Sequence, residues 1–335
     1  MAILKNTLLL PLTLLLTGCY EDFTPDIDIK PVLCLNSLIT PGQPIEVSVT
    51  HTWLYTDENA AGDNKVMDAS ILIYANGKPV SSDYLPREGD KIRIYAESPA
   101  YGQAEGEVTV PVAATIESVE WDPVITNLLK ADPADSRMMA DISFNLSTKL
   151  TFKDSADTEN YYNFSYLGFN PSPEPYEDDN IVYLPFVNFT LGSMNYNAEP
   201  IFREHIGAFE SVTGSDAYGF TCFSDRQFSG KNYTLNIVFE NMNYYVKNDF
   251  KYDEALLDCG LTFTLSTVSA SFYNWAIYHW HGDNMIGDLS GSGLGDPIWG
   301  YSNVSTGAGV IAAMAHSSAT ISIEPFLAKA ISSPQ

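Results

Sequence analysis

Residues 45–50, Ile-Glu-Val-Ser-Val-Thr, alternate apolar and polar side chains without a break. A segment with this period of two buries one face only as a strand, so a chain that repeats the pattern must build sheets. The same alternation runs from Tyr233 to Phe239 and from Leu261 to Leu265, and we read these two as antiparallel partners. Shorter strand-like runs cover 32–39, 69–74, 91–95, 106–112, 116–121, 142–152, 160–169, 181–189, 309–314 and 320–323. Between them stand turn formers: Pro41-Gly42 inside 40–44, Asn76-Gly77, and three prolines within 171–175 that exclude ladder pairing. The 20 Tyr, 17 Phe and 5 Trp favour strands over helices. The expected fold class is mainly β.

A chain of 335 residues has room for about two domains. Short strands and turns at the spacing of the first hundred residues predict an immunoglobulin-like β-sandwich over 31–112, opened by a hairpin of 32–39 with 45–50. A larger antiparallel β-rich domain is expected over 113–327. One amphipathic helix is expected near residues 266–281, capped by Ser266 or Thr267. Its stripe of Val268, Phe272, Trp275 and His279, with Tyr273, Ile277 and Trp280 adjoining, is expected to be buried against the sheet.

The first residues address the chain. Lys5 precedes an apolar run, 8–16, too short to span a bilayer as a stable helix. Leu16, Thr17 and Gly18 then form a lipobox before Cys19. Residues 1–18 are therefore expected to be a lipoprotein signal peptide, with acylated Cys19 as the mature N-terminus tied to a lipid bilayer. Residues 19–30, acidic and without periodicity, read as a tether. Acids outnumber bases 42 to 17, for a formal charge of −25, and such a surface repels phosphate backbones. Nucleic acid is excluded as a partner on this ground. Of the other cysteines, Cys34 lies in an apolar run, and Cys222 with Cys259 is the pairing to consider. No CxxC spacing suggests zinc or redox chemistry.

Each chemical candidate has a plainer counterpart. Asp225, Arg226 and Lys231 surround a turn at Ser229-Gly230 and could hold a ligand carboxylate; equally, they shape a turn whose Phe223 and Phe228 plug a core. His279, His281, Asp283 and His205 could be imagined as metal ligands, but two histidines two apart at a helix end diverge. The acidic loops 154–159 and 174–179 lack the order of a helical calcium loop and read as solvated turns. Ser292 and Ser215 sit beside glycines without the strand-to-helix nucleophile pattern, and 287–295 lacks the ending of a phosphate-binding loop. No catalytic residue, metal or cofactor is assigned. Tyr161, Tyr162, Tyr166, Tyr176, Tyr183, Tyr244 and Tyr245 are the best binding feature, since tyrosine at a loop edge suits a glycan or peptide.

Several stretches resemble one family, the lipoproteins of domain of unknown function 4249 (DUF4249), of the Bacteroidota. They are the acidic start behind Cys19, Pro41-Gly42, Leu150 to Asp154 leading to Asn160-Tyr161-Tyr162, and Phe223 to Lys231. Later come Leu265-Ser266 through Trp275, and Asp296 to Val304 followed by Gly307 to Val310. The closing stretch adds Trp299 and Asn303 to the binding candidates. Ala308 and Ile311-Ala312 depart from the pattern, so the end of that strand is expected to pack differently. The resemblance implies an outer-membrane, surface-exposed lipoprotein, with Glu21-Asp22 similar to a surface-export signal. It also implies a TonB-dependent transporter as partner and no established reaction. The expected role is a non-enzymatic accessory or ligand-binding module. The alternatives are an envelope assembly or structural lipoprotein and, third, an exported hydrolase.

Overall fold

The computed structural model describes residues 30–53, 64–131, 138–155, 158–171, 176–178, 181–183, 185–204, 220–248, 254–286 and 300–333, with 176–178, 181–183, 254 and 281–286 described by their backbone. The lipobox, Cys19, the tether up to residue 29, His205, Ser215, Ser292 and Trp299 lie outside the described residues.

The chain is mainly β. Its strands are β1 (Leu33–Ile39), β2 (Ser48–His51), β3 (Ser70–Ala75), β4 (Lys78–Val80), β5 (Lys91–Ser98) and β6 (Gly102–Thr109), then β7 (Thr115–Lys130), β8 (Met138–Lys153) and β9 (Tyr161–Phe169). After these come β10 (Tyr176–Asp178), β11 (Ile181–Tyr183), β12 (Phe186–Thr190), β13 (Ser193–Met194), β14 (Cys222–Ser224) and β15 (Asn232–Asn248). The end of the chain carries β16 (Gly260–Val268), helix α1 (Ala270–Ile286), β17 (Val304–Ser305), β18 (Ile311–Ser322) and helix α2 (Glu324–Ser332).

A six-stranded sheet, ordered β14-β9-β16-β18-β1-β2, is the spine of the molecule. One half covers the sheet β17-β6-β5-β3-β4 and the other covers β12-β15-β8-β7. Alternation does the work in both sandwiches. Leu33, Leu35 and Ile39 of β1 point inward to meet Ile73, Ile92 and Ile94, while Asn36 and Leu38 point out. The second core is aromatic, with Phe144, Phe152, Tyr162, Phe223, Phe239 and Phe263 all buried. Asn76 and Gly77, both at positive φ, form the tight turn between β3 and β4 that the Asn-Gly pair announces.

β1 and β2 form the expected hairpin, Leu33 opposite His51. The closing strand departs from the reading. Residues 311–322 form one strand, not two, because the small polar run Ser317-Ser318 lies opposite Leu265 and Thr264 in the ladder. Its first residues pair in parallel with β1, Ser37 opposite Ile311, so that Ile311 and Ala313 enter the first core while Ile321 enters the second. The approach just before it needs glycine. Gly309 has φ +115°, and a Cβ there would stand 2.1 Å from the Leu35 carbonyl oxygen. The sandwich begun by residues 31–112 is therefore completed by residues 304–313.

Two further expectations are corrected. The 233–239 and 261–265 runs are not ladder partners: β15 pairs with β8 and β12, β16 with β9 and β18. They face one another across the core, with the Phe239 and Phe263 rings 6.4 Å apart. Cys222 and Cys259 are both free and buried. Register explains this, since Cys222 lies opposite Asn163, which lies opposite Ser266, whereas Cys259 precedes Gly260. Seven residues of strand, about 23 Å, separate the two levels, far beyond a disulfide's reach.

The helix begins later than its sequence pattern suggests. Ser266, Thr267 and Val268 remain strand, and Ser269 is the cap, its hydroxyl accepting from the Phe272 N–H at 3.3 Å. The same hydroxyl accepts from the Ala313 N–H at 3.0 Å, fastening the helix start to β18. The buried side of α1 is the adjoining stripe, Tyr273, Ile277 and Trp280, packed with Phe220, Cys222 and Val268. Phe272, partly buried, packs against the edge of the same cluster, while Trp275, Tyr278 and His279 are exposed along the helix flank.

Candidate functional site

Where the two sandwiches meet, the linker 109–115, the loop after β8 and the junction 267–270 enclose a crevice of ≈ 640 Å³. The sequence candidates Tyr161, Tyr162, Asp225 and Arg226 converge on this end of the spine sheet. β9 sets Tyr161 and Tyr162 on opposite faces, and the turn after β14 carries Asp225 and Arg226.

Two buried carboxylates organise the place. Asp154, 3% exposed, accepts from the Tyr162 hydroxyl, from the Gly230 N–H at 2.6 Å and from Asn160 Nδ2 at 3.2 Å. It is no solvated turn. Asp225, 1% exposed, accepts from Asn160 Nδ2 at 3.3 Å. Its main chain pins two loops: its N–H donates to the Asn160 carbonyl at 3.0 Å, and its carbonyl accepts from the Phe228 N–H at 2.8 Å. Burial holds the Asp225 carboxyl above the ordinary range, opposed by Asn160 and reinforced by the nearby Asp154 and Glu159 charges. Burial, with Asp154 beside it, drives the Tyr162 hydroxyl far above its usual value, so it remains a donor.

Around this knot Arg226, Glu159 and Glu204 are also engaged. Arg226 pairs with Glu159 at 2.8 Å on the exposed rim, and that bond, helped by Tyr161, lowers the Glu159 carboxyl. Glu204 accepts from the Ser224 N–H at 2.7 Å and from the Tyr273 hydroxyl at 3.0 Å, tying β14 to α1. The Tyr161 ring lies 4.3 Å from that of Tyr273, half covered by the helix. Asn303 lies elsewhere and is a clamp. Its Oδ1 accepts from the Ile311 N–H at 2.9 Å, and its Nδ2 donates to the Ile311 carbonyl at 2.8 Å and to the Glu107 carbonyl at 3.4 Å, which occupies both amide hydrogens. Tyr176 stands opposite Tyr183 in the β10–β11 ladder. Tyr244 is core, its hydroxyl donating to the Leu256 carbonyl at 2.8 Å.

A second recess was not foreseen from the sequence. α1 covers one half of the outer face of the spine sheet and leaves β1 and β2 open, which makes a groove of ≈ 570 Å³ with the helix flank as its wall. Asn36, Leu38, Glu46 and Ser48 form the floor; Phe272 and Trp275 form the wall. Trp275 is 39% exposed and Leu38 50%. The indole is stacked on His279 at 5.3 Å and 13° and abuts Phe272 at 5.8 Å. The signal available in sequence was that α1 carries aromatics on two adjoining stripes, more than one buried face can hold.

Among the described residues no group of three or more His, Cys, Asp and Glu side chains could hold a metal ion, and no helix is long and apolar enough to cross a membrane. Against known proteins, the family described as Domain of unknown function (DUF4249) matches residues 20–320. The chain belongs to this family. That span takes in both sandwiches, the junction crevice and the groove, so the family's unit is the whole shared-spine body and not one half of it. No curated protein and no solved structure matches the chain.

Proposed function

We propose that this DUF4249 protein is an outer-membrane lipoprotein, anchored through acylated Cys19 and facing the cell surface, that serves as a non-enzymatic, ligand-binding accessory beside a TonB-dependent transporter. The anchor rests on Leu16, Thr17, Gly18 and Cys19, and the transporter on the family resemblance. What supports a binding role is the contrast between the two recesses. At the junction, Asp154, Asp225, Glu159 and Glu204 are committed to holding loops, and general acid–base work needs a titratable group free to reach a substrate. In the groove, Trp275, Leu38 and Glu46 face solvent. Isolation of the native protein in mild detergent, with mass spectrometry of its N-terminus, tests the reading. The expected result is an acylated Cys19 and co-purification of a transporter; an unmodified sulfur there, or recovery of the protein alone, counts against it.

A second reading, an envelope structural lipoprotein without a small ligand, draws on Val124, Ile125 and Leu129, which β7 leaves exposed. Recovery as a homo-oligomer without a transporter would favour it.

A further inference from the structure

We infer that the groove between β1–β2 and α1 is a site for a neutral glycan chain, with the Trp275 indole as its stacking platform. This deepens the binding role proposed above and rests on it.

The chemistry of the lining selects the ligand class. A sugar ring has an apolar C–H face and an equator of hydroxyls, so it needs an aromatic surface beside donors and acceptors. The groove offers both. Trp275 and Leu38 supply the apolar surface, and Glu46, just before β2, Ser48 of β2 and Asn36 of β1 line the same floor with a carboxylate, a hydroxyl and an amide. Asn36 Oδ1 accepts from the Val310 N–H at 3.0 Å, which orients the amide. The indole is likewise held in advance by His279 and Phe272, so little side-chain freedom is lost on stacking.

Two observations discriminate against other occupants. An extended peptide would most simply add itself to the edge at β2, but that edge is taken. The Val49 carbonyl accepts from the Val66 N–H at 3.1 Å, and the His51 N–H donates to the Asn64 carbonyl at 3.1 Å. A ligand in the groove is therefore held by side chains rather than by strand addition. Charge then selects among glycans. Among the described residues Glu46 is the one ionisable side chain lining the groove, and the protein carries −25 overall, so uronate-rich or sulfated chains are repelled.

The test uses the full lipoprotein in a detergent without a sugar headgroup. Isothermal titration is run with neutral gluco-, manno-, xylo- and galacto-oligosaccharides of six residues, with oligogalacturonate and with a basic, aromatic hexapeptide. Saturable binding of at least one neutral series is expected, with a shift in tryptophan fluorescence. Trp275→Ala should weaken it about tenfold or more, Trp275→Phe should restore part, and Glu46→Gln should weaken it several-fold. Unchanged melting curves show that the variants fold; should Trp275→Ala fail to fold, Glu46→Gln and Leu38→Asp carry the comparison. Binding of no neutral series, preference for the peptide or oligogalacturonate, or binding unmoved by these variants overturns the proposal. Thermal stabilisation by the peptide or oligogalacturonate with none by neutral sugars would leave the binding role standing and remove only the glycan. Absence of any ligand response would remove both.

Discussion

Thr148 sits on the inward face of β8 between Leu146 and Leu150, and its hydroxyl is buried without a hydrogen-bond partner among the described residues. Such a group keeps its desolvation cost and gains nothing in return. Thr148→Val is expected to raise stability by about 1 kcal/mol, read from chemical denaturation. Asp90 presents the opposite case. Burial pushes its carboxyl up, but the Arg87 N–H, Tyr84 hydroxyl and Asn76 amide outweigh that and leave it below the ordinary range. A lowered carboxyl contributes stability above its unfolded value, and that contribution fades as pH falls through the folded one. Asp90→Asn should therefore cost about 1–3 kcal/mol at pH 7, and the two proteins' melting temperatures should converge below about pH 4. Neither role was visible in the sequence at these positions. Asp154 shows why: its partners Tyr162 and Gly230 lie 8 and 76 residues further on, and only the folded chain brings that glycine N–H to the carboxylate. Phe223 and Phe228, by contrast, announce their burial through their apolar type alone.

At the scale of elements, β7 is the exposed liability. It is 16 residues long, ends its sheet, and pairs on one side with β8. A long open edge invites pairing with another chain, and β7 carries several deterrents: Pro123 at its centre, Glu117, Glu120 and Asp122, and register shifts near 117 and 126. Replacing Pro123, Glu120 and Asp122 together by Val, Thr and Thr should leave the fold intact and produce concentration-dependent self-association in sedimentation velocity; a monodisperse variant would refute the assignment. Strands with strict alternation, such as β8 and the Leu261–Leu265 part of β16, can be read directly because one face is buried more deeply than the other. Their pairing cannot. Alternation fixes which face is buried and says nothing of whether two strands share a ladder or oppose each other across a core, so the alternating runs of β15 and β16 look alike as ladder partners. α2 escaped notice for a related reason, being only nine residues, with its buried contacts Leu327 and Ala330 three apart.

Over the whole molecule, the two sandwiches are not independent. Val304, Ile311 and Ala313 belong to the first core, and Ala114, within the linker, donates its N–H to the buried Thr267 hydroxyl at 2.9 Å. A fragment of residues 30–112 should therefore lack a cooperative thermal transition, while the full chain shows one; a sharp transition in the fragment would show that the first sandwich folds without residues 304–313. Sequence spacing suggests a boundary near Val112, where residues 110–114 belong to no strand. Nothing local records that a strand from the far end returns to lie beside β1 in parallel.

That return has a consequence for biogenesis. A ribosome makes Leu33 and Leu35 long before Ile311 and Ala313, so the keystone of the leading half arrives well after the strands it seals. Until then the apolar strands of that half stay unsealed, a state in which chains are prone to clump. A premature stop anywhere before the closing strand would yield not a shorter working protein but substrate for proteases.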